Sequence, residues 1–286
     1  MVNGSAIMII SRKMEMSPVN IGEFIWKVEG FYDLEITCKP KKESPTVLWN
    51  CFAIGSCAAV PNEKNYYHMW KASFGNNDCT EFRFYYDIKR REKAGGSIYT
   101  RDEVQVNIVD SFSTDLAESK NSLIEDQSDA AKLKIEEQEI WVSKKVLSDH
   151  SPFFKALFKG NFKEGTEGFY ELKDLKLQEF MQFLGIIHGH EMGINGKTVE
   201  RLMYLGDYFK AKSVLQYCGE YLRTAHNKEV PLAEKIQLAT RYNLRAAAMD
   251  MVEKATIEDL KKLSFSFAFF PVVSSLIYEK IRLVEL

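Results

Sequence analysis

The sequence has no long apolar run. Nowhere in its 286 residues does a stretch approach the ~18 apolar residues that cross a membrane as a helix. The longest candidate, Phe265 to Ile277, is broken by Ser266, Pro271, Ser274 and Ser275. Near the N-terminus the apolar stretch Ala6 to Ile10 is short and has no basic region before it, so it does not read as a signal peptide. Cysteine is sparse and odd in number: Cys38, Cys51, Cys57, Cys79 and Cys218. That count points to free thiols in a reducing compartment. The expected location is intracellular, cytoplasmic or nuclear, with no membrane partner.

An excess of one charge is also missing. Lys+Arg is 38 and Asp+Glu is 40, for a net charge of −2. Up to Leu116 there are 14 basic and 15 acidic residues, and the remainder holds 24 and 25. Neither part has the basic excess that binds nucleic acid or anionic lipid. The run Lys89-Arg90-Arg91-Glu92-Lys93 precedes a glycine turn and reads as a solvated hairpin end. No nucleic-acid partner is expected.

Catalytic and metal-binding patterns are absent as well. The phosphate-binding, dinucleotide-binding and nucleophile-elbow glycine motifs do not occur. His188 and His190 with Glu191 lack further ligands at metal spacing and read as surface-loop residues. Cys51 and Cys57 lack a C-x2-C pair and read as buried thiols. Asp149-His150-Ser151 are adjacent, and neighbours in one element cannot arrange a catalytic triad. We expect no catalytic residue, no metal, no cofactor and no enzyme. Met181, Phe183, Met203 and Tyr208 stand at helical spacing and read as core.

What is present is an ordinary globular composition, 45% hydrophobic and 13% aromatic, in a chain long enough for two or three domains. The first third alternates with period two. The alternating sets are Phe24, Trp26 and Val28; Leu34, Ile36 and Cys38; Leu48, Phe52 and Ile54; Tyr66, His68, Trp70, Ala72 and Phe74; Phe82, Phe84, Tyr86 and Ile88; and Val104, Val106 and Ile108. Such alternation marks half-buried antiparallel strands, with Gly95-Gly96-Ser97 turning between the last two. Six or more strands without long helices give an antiparallel β-sandwich or barrel over 19–115. Residues 116–128, rich in Ser, Asp, Glu and Asn, read as a linker or a short solvated helix.

The pattern then becomes α+β over 129–225. A hairpin turns at Glu136-Glu137-Gln138, and Ser143 can cap a short helix. Ser151-Pro152 starts a second helix with Phe153, Phe154, Leu157 and Phe158. Tyr170 and Leu172 suggest a strand, and Leu177 to Ile187 a helix. Thr198 can cap the next helix, and Val214 to Leu222 makes another. Residues 226–286 form a short helical extension. Pro231 and Thr256 are its starts, Glu258 and Asp259 favour the dipole, and Phe265 to Leu286 is an apolar tail.

Asp129-Ala130-Ala131 and the run Val142-Ser143-Lys144-Lys145-Val146-Leu147-Ser148-Asp149-His150-Ser151-Pro152-Phe153-Phe154-Lys155-Ala156-Leu157-Phe158 together resemble the BTB (POZ) domain. The residue types and spacing match its V-x-K-x-V-L-x-x-x-S-x-x-F-x-x-L-F run. Phe24-Ile25-Trp26-Lys27-Val28 through Phe31 resembles the first strand of a MATH domain. The whole is thus similar to nematode MATH-BTB proteins with a diverged MATH/TRAF-like sandwich. BTB domains commonly dimerise, and Trp141 and Phe153 are the candidate dimer residues. BTB adaptors that recruit cullin-3 carry a hydrophobic-x-Glu motif after the Phe158 helix. Phe162 and Glu164 match it, with Phe158 beside them. The other reading has Phe162 capping the local core and Glu164 solvated.

The resemblance implies a non-enzymatic, homodimeric adaptor. Its N-terminal β domain would bind an unknown substrate protein, and its BTB domain a cullin-3-type ubiquitin-ligase scaffold. A BTB scaffold without a cullin is the alternative, and transcriptional-regulator or enzyme readings have less behind them.

Overall fold

The computed structural model describes residues 4–10, 17–30, 33–60, 67–85, 101–159, 169–263 and 270–285. The chain divides into two compact units. One is Met1–Lys145 with Asn161–Gly193, and the other is Val146–Gly160 with Ile194–Leu286.

The first unit opens with eight strands: β1 (Ser5–Ile10), β2 (Val19–Ile21), β3 (Phe24–Glu29), β4 (Asp33–Pro40), β5 (Val47–Val60), β6 (Tyr67–Gly75), β7 (Glu81–Tyr85) and β8 (Arg101–Asp115). They form two four-stranded antiparallel sheets, in the orders β1-β8-β5-β6 and β2-β3-β4-β7. The inward side chains of both sheets make one core. Phe24, Trp26, Val28, Leu34 and Ile36 come from one sheet; Trp49, Cys51, Trp70, Phe74 and Val106 come from the other. Trp26 meets Phe74 edge-on, with ring centroids 5.2 Å apart. The expected alternation therefore holds for β3, β4 and β8.

Three observations differ from the sequence reading. Ser5–Ile10, placed before the start of the β domain, is a strand paired with β8. In β5 the inward set is Val47, Trp49, Cys51, Ala53 and Cys57, not Leu48, Phe52 and Ile54. Leu48 is nevertheless fully buried, because the first half of β5 is covered on both faces. The phase is set by what covers the strand, and apolar residues on both faces conceal it. Of residues 116–128, expected as a linker, the first part is tied into the unit. Leu116 is fully buried and Ile124 nearly so. Leu116 N–H donates to Thr46 O at 2.9 Å, and Trp141 N–H donates to Leu116 O at 2.7 Å.

Gly55 shows why one β5 position must lack a side chain. A Cβ there would lie 1.9 Å from Gln105 O and 2.5 Å from the Trp70 ring. Tyr66, Tyr86, Ile88, the Lys89–Lys93 run and Gly95-Gly96-Ser97 lie outside the described residues.

The same unit holds β9 (Ala130–Ile135), β10 (Gln138–Ser143) and β11 (Tyr170–Leu172). They form a sheet ordered β10-β9-β11, antiparallel in the hairpin and parallel between β9 and β11. Glu136 turns the hairpin with a positive φ of 53°. Helix α1 (Lys144–His150) follows. Its first turn is capped by the Asp129 carboxylate, which accepts from Lys145 N–H at 2.7 Å and also binds the Ser143 hydroxyl.

The second unit is helical, with most of α1, from Val146 on, and α2 (Pro152–Lys159), α4 (Val199–Tyr208), α5 (Lys212–Thr224), α6 (Leu232–Arg241), α7 (Arg245–Lys254), α8 (Ile257–Lys261) and α9 (Pro271–Glu285). Helix α3 (Leu177–Ile187) belongs to the first unit. Ser151 caps α2 as expected: its hydroxyl accepts from Phe154 N–H at 3.2 Å and donates to Phe209 O at 2.5 Å. Thr198 stands before α4 but makes no side-chain cap. Its hydroxyl instead accepts from Asn195 N–H at 3.2 Å, which closes the preceding turn. Thr256 caps α8 through Asp259 N–H at 3.1 Å.

Two lysines close helix ends. Buried Lys235 donates to Ala225 O at 2.7 Å at the end of α5, and burial lowers its pKa. Lys280 donates to Val252, Glu253 and Ala255 carbonyls at the end of α7. The apolar tail is thus largely a helix, α9, which buries Val273 and Ile277. Residues 264–269 lie outside the described residues.

Candidate functional site

Aromatic residues from α2, α4 and the chain just after α4 gather in the second unit. Phe154 is fully buried and packs on Phe209 at 4.8 Å and on Phe158 at 5.9 Å between ring centroids. Phe153 is half-buried and touches Phe154, Phe209 and Tyr208 at 5.2, 5.2 and 5.6 Å. The cluster continues outward. Tyr208 stacks on Tyr204 at 6.0 Å, and the Arg201 guanidinium lies 4.5 Å from the Tyr204 ring centroid. Tyr204 is 43% exposed and Tyr208 51%.

This corrects the assignment of Tyr208 to the core. Met181, Phe183 and Met203 are fully buried as expected, but Tyr208 is not. A helical wheel carries the signal. Leu202, Leu205 and, just past the helix end, Phe209 share one face, and Arg201, Tyr204 and Tyr208 fall on the face beside it. Arg201 and Tyr204 were not singled out from the sequence.

Phe158 is half-buried at the end of α2. Phe162 and Glu164 lie outside the described residues. Trp141 sits on β10 in the first unit, half-buried, with the Lys132 ammonium 5.2 Å from its ring centroid. Its backbone is already engaged by the chain itself. Its N–H donates to Leu116 O, and its carbonyl accepts from Asn121 Nδ2 at 3.1 Å.

His190 also departs from expectation. Its ring lies flat against Phe112 of β8, with centroids 4.0 Å apart. Burial holds its pKa below the usual imidazole value, opposed by the Asp110 carboxylate. All five cysteines are buried free thiols. Cys38 hydrogen-bonds Cys51, and its pKa is raised first of all by burial, so it is not poised as a nucleophile. Ser151 spends its hydroxyl on a helix cap. Among the described residues no His/Cys/Asp/Glu group could hold a metal ion, and no helix is long and apolar enough to cross a membrane. A polar notch of 400 Å³ in the first unit is lined by Trp49, Asn76, Asp78, Lys176 and Gln178, among others. Asn76 and Gln178 there hydrogen-bond each other at 3.3 Å.

Residues 121–226 match the family model of the BTB/POZ domain. The chain carries a BTB domain. Strands β9–β11 and helices α1–α5 fall within it, and so does the aromatic cluster. A strand-rich region precedes the BTB domain and helices follow it. Over 226 residues the chain is 25% identical to BTB and MATH domain-containing protein 38 of Caenorhabditis elegans, covering 75% of this chain and 56% of that protein. It is 31% identical to protein 36 of that series over 134 residues, 46% of this chain and 41% of the relative. It is also 29% identical to Kelch-like protein 40 of Xenopus tropicalis over 91 residues, 32% of this chain and 15% of that protein. The chain spans about half the length of the first of these curated relatives.

Proposed function

We propose that this protein is a substrate-recognition adaptor of a cullin-3-type ubiquitin ligase. The observation that carries this reading is the outward face of α4. Two exposed tyrosines and a half-buried arginine lie there, continuous with Phe153 and the Phe158 helix. Exposed aromatics beside an arginine are the residue types that dominate binding energy at protein interfaces. Shortly after Phe158 in the sequence come Phe162 and Glu164, the hydrophobic-x-Glu pair of the resemblance. In this reading the aromatic anchors enter a groove on the cullin, and Glu164 fixes orientation.

The β region is read as a diverged MATH-like sandwich that binds substrate. Two four-stranded antiparallel sheets around one core support that reading, with Phe24, Trp26 and Val28 turned inward. The BTB domain is read as homodimeric, with Trp141 and Phe153 as dimer contacts. Two copies would make substrate and ligase binding bivalent and raise avidity. The chain itself performs no chemistry in this scheme, because the ligase supplies it.

The test is binding of the purified protein to the N-terminal region of cullin-3. It is run beside a Tyr204→Ala/Tyr208→Ala variant and a Phe162→Ala/Glu164→Ala variant of unchanged elution size. Each lost anchor is expected to weaken binding by about 1–2 kcal/mol, roughly tenfold. A folded parent that does not bind removes the cullin reading and leaves a BTB scaffold.

A further inference from the structure

The sequence offers a polar segment, residues 116–128, as a linker or short solvated helix between the β region and the BTB domain. The structure instead fastens the two at separate places within the first unit. One fastening is the segment itself. Leu116, fully buried, receives a hydrogen bond on its carbonyl from Trp141 of β10 and gives one to Thr46 at the start of β5. Asn121 Nδ2 donates to the Trp141 carbonyl at 3.1 Å. Ser122 N–H donates to the Thr114 hydroxyl of β8 at 3.4 Å. The segment is a strap bonded on both sides.

The other fastening is a set of amides between the β6–β7 turn and α3. Asn77 and Asp78 take left-handed backbone angles, φ 62° and 59°, which turn the loop toward the helix. Asn76 accepts from Trp49 N–H and donates to Val47 O, both at 2.9 Å, and reaches Gln178 Oε1 at 3.3 Å. Asn77 Nδ2 donates to Gln182 Oε1 at 2.8 Å. Gln178 Nε2 donates to Pro45 O at 3.0 Å. Gln182, fully buried, donates to the Gly193 carbonyl and, at 3.6 Å, to Cys79 Sγ. Each pair joins a buried amide, Asn76 or Gln182, to a half-buried one, and separating the pairs strips a hydrogen bond from each buried amide, which is costly away from water. Behind the amides, Met192 fills a notch between Gly185 and Gly75, and the His190 ring covers Phe112.

We propose that the β region, the β9–β11 sheet and helix α3 form one rigid presenting body, clamped by the Asn76/Asn77–Gln178/Gln182 amides and the Leu116–Ser122 strap. Whatever the β region binds is then held at one orientation to the BTB sheet and does not swing on a tether. This concerns the fastening alone and stands whether or not a cullin binds.

The test uses the full chain. All five native thiols are buried, so spin labels go on cysteines introduced at exposed Lys39 of β4 and Glu137 of the BTB hairpin. With the labelled chain diluted into excess unlabelled chain, so that spins pair only within one chain, pulsed dipolar spectroscopy of the parent is expected to give one narrow distance. A broad distribution in the folded parent overturns the proposal. In Gln178→Ala/Gln182→Ala, and more mildly in Asn77→Ala and Asn121→Ala, the distribution is expected to broaden while the far-ultraviolet circular dichroism stays unchanged. Narrow distances in every folded variant would overturn the clamp. Should the double variant fail to fold, the parent and the two single variants decide.

Discussion

Protonating His190 charges a ring that lies flat on Phe112 in a half-buried site. Burial lowers its pKa from the usual 6.5, and the nearby Asp110 carboxylate opposes that shift more weakly. The folded chain therefore takes up this proton at a lower pH than the unfolded chain. Between the two pKa values the unfolded state holds more protons, so this contribution to stability is complete above about pH 6.5 and drains away as pH falls. The urea midpoint should fall more steeply between about pH 7 and pH 5.5 in the parent than in His190→Phe, which keeps the stack without the charge. Identical pH slopes for the two proteins would contradict this. The sequence offered His190 only as a loop residue, because nothing in His188-Gly-His190 announces that Phe112, far away in the chain, will lie under it.

At the scale of elements, the return after α3 is shaped by a methionine and a glycine. A Cβ on Gly185 would lie 2.3 Å from Met192 Sδ. Gly185→Ala should therefore cost about 1–3 kcal/mol as an overpacked contact. Met192→Ala empties a buried site and should cost about 2–5 kcal/mol. In the double variant the added methyl occupies space the methionine has left. The double cost should then fall below the sum by about 0.5–3 kcal/mol. Urea unfolding of the four proteins measures this, and additive costs would show that the two side chains do not share the notch. Helix α3 was legible in the sequence from Leu177, Phe180, Phe183, Leu184 and Ile187. Its second buried face was not, because Gln178 and Gln182 are polar and ordinarily face water.

For the whole molecule, the contents of the first unit matter more than the order of the chain. If the β region and α3 unfold together, damage to one should expose the other. Gly55→Ala forces a Cβ to within 1.9 Å of a backbone oxygen in β8, a contact that only a backbone shift can relieve. Native-state hydrogen exchange of this variant should show protection lost in β5 and in Leu177–Ile187 to a similar degree. Full protection of α3 beside a weakened β5 would separate them into independent units. A joint response would extend the folding unit across the boundary that composition suggested.

The sequence by itself determined the alternating strands, the hairpin at Glu136, the Ser151 and Thr256 caps, and the BTB resemblance. These are local: period, capping chemistry and turn residues act within a few positions. The tertiary structure alone decided the phase of β5, the addition of Ser5–Ile10, the exposure of Tyr204 and Tyr208, and the change of the expected 116–128 linker into a strap at Leu116–Ser122. Each depends on which distant surface covers a residue. Polar side chains such as Asn76, Asn121, Gln178 and Gln182 look solvated in sequence until a partner amide arrives from far along the chain.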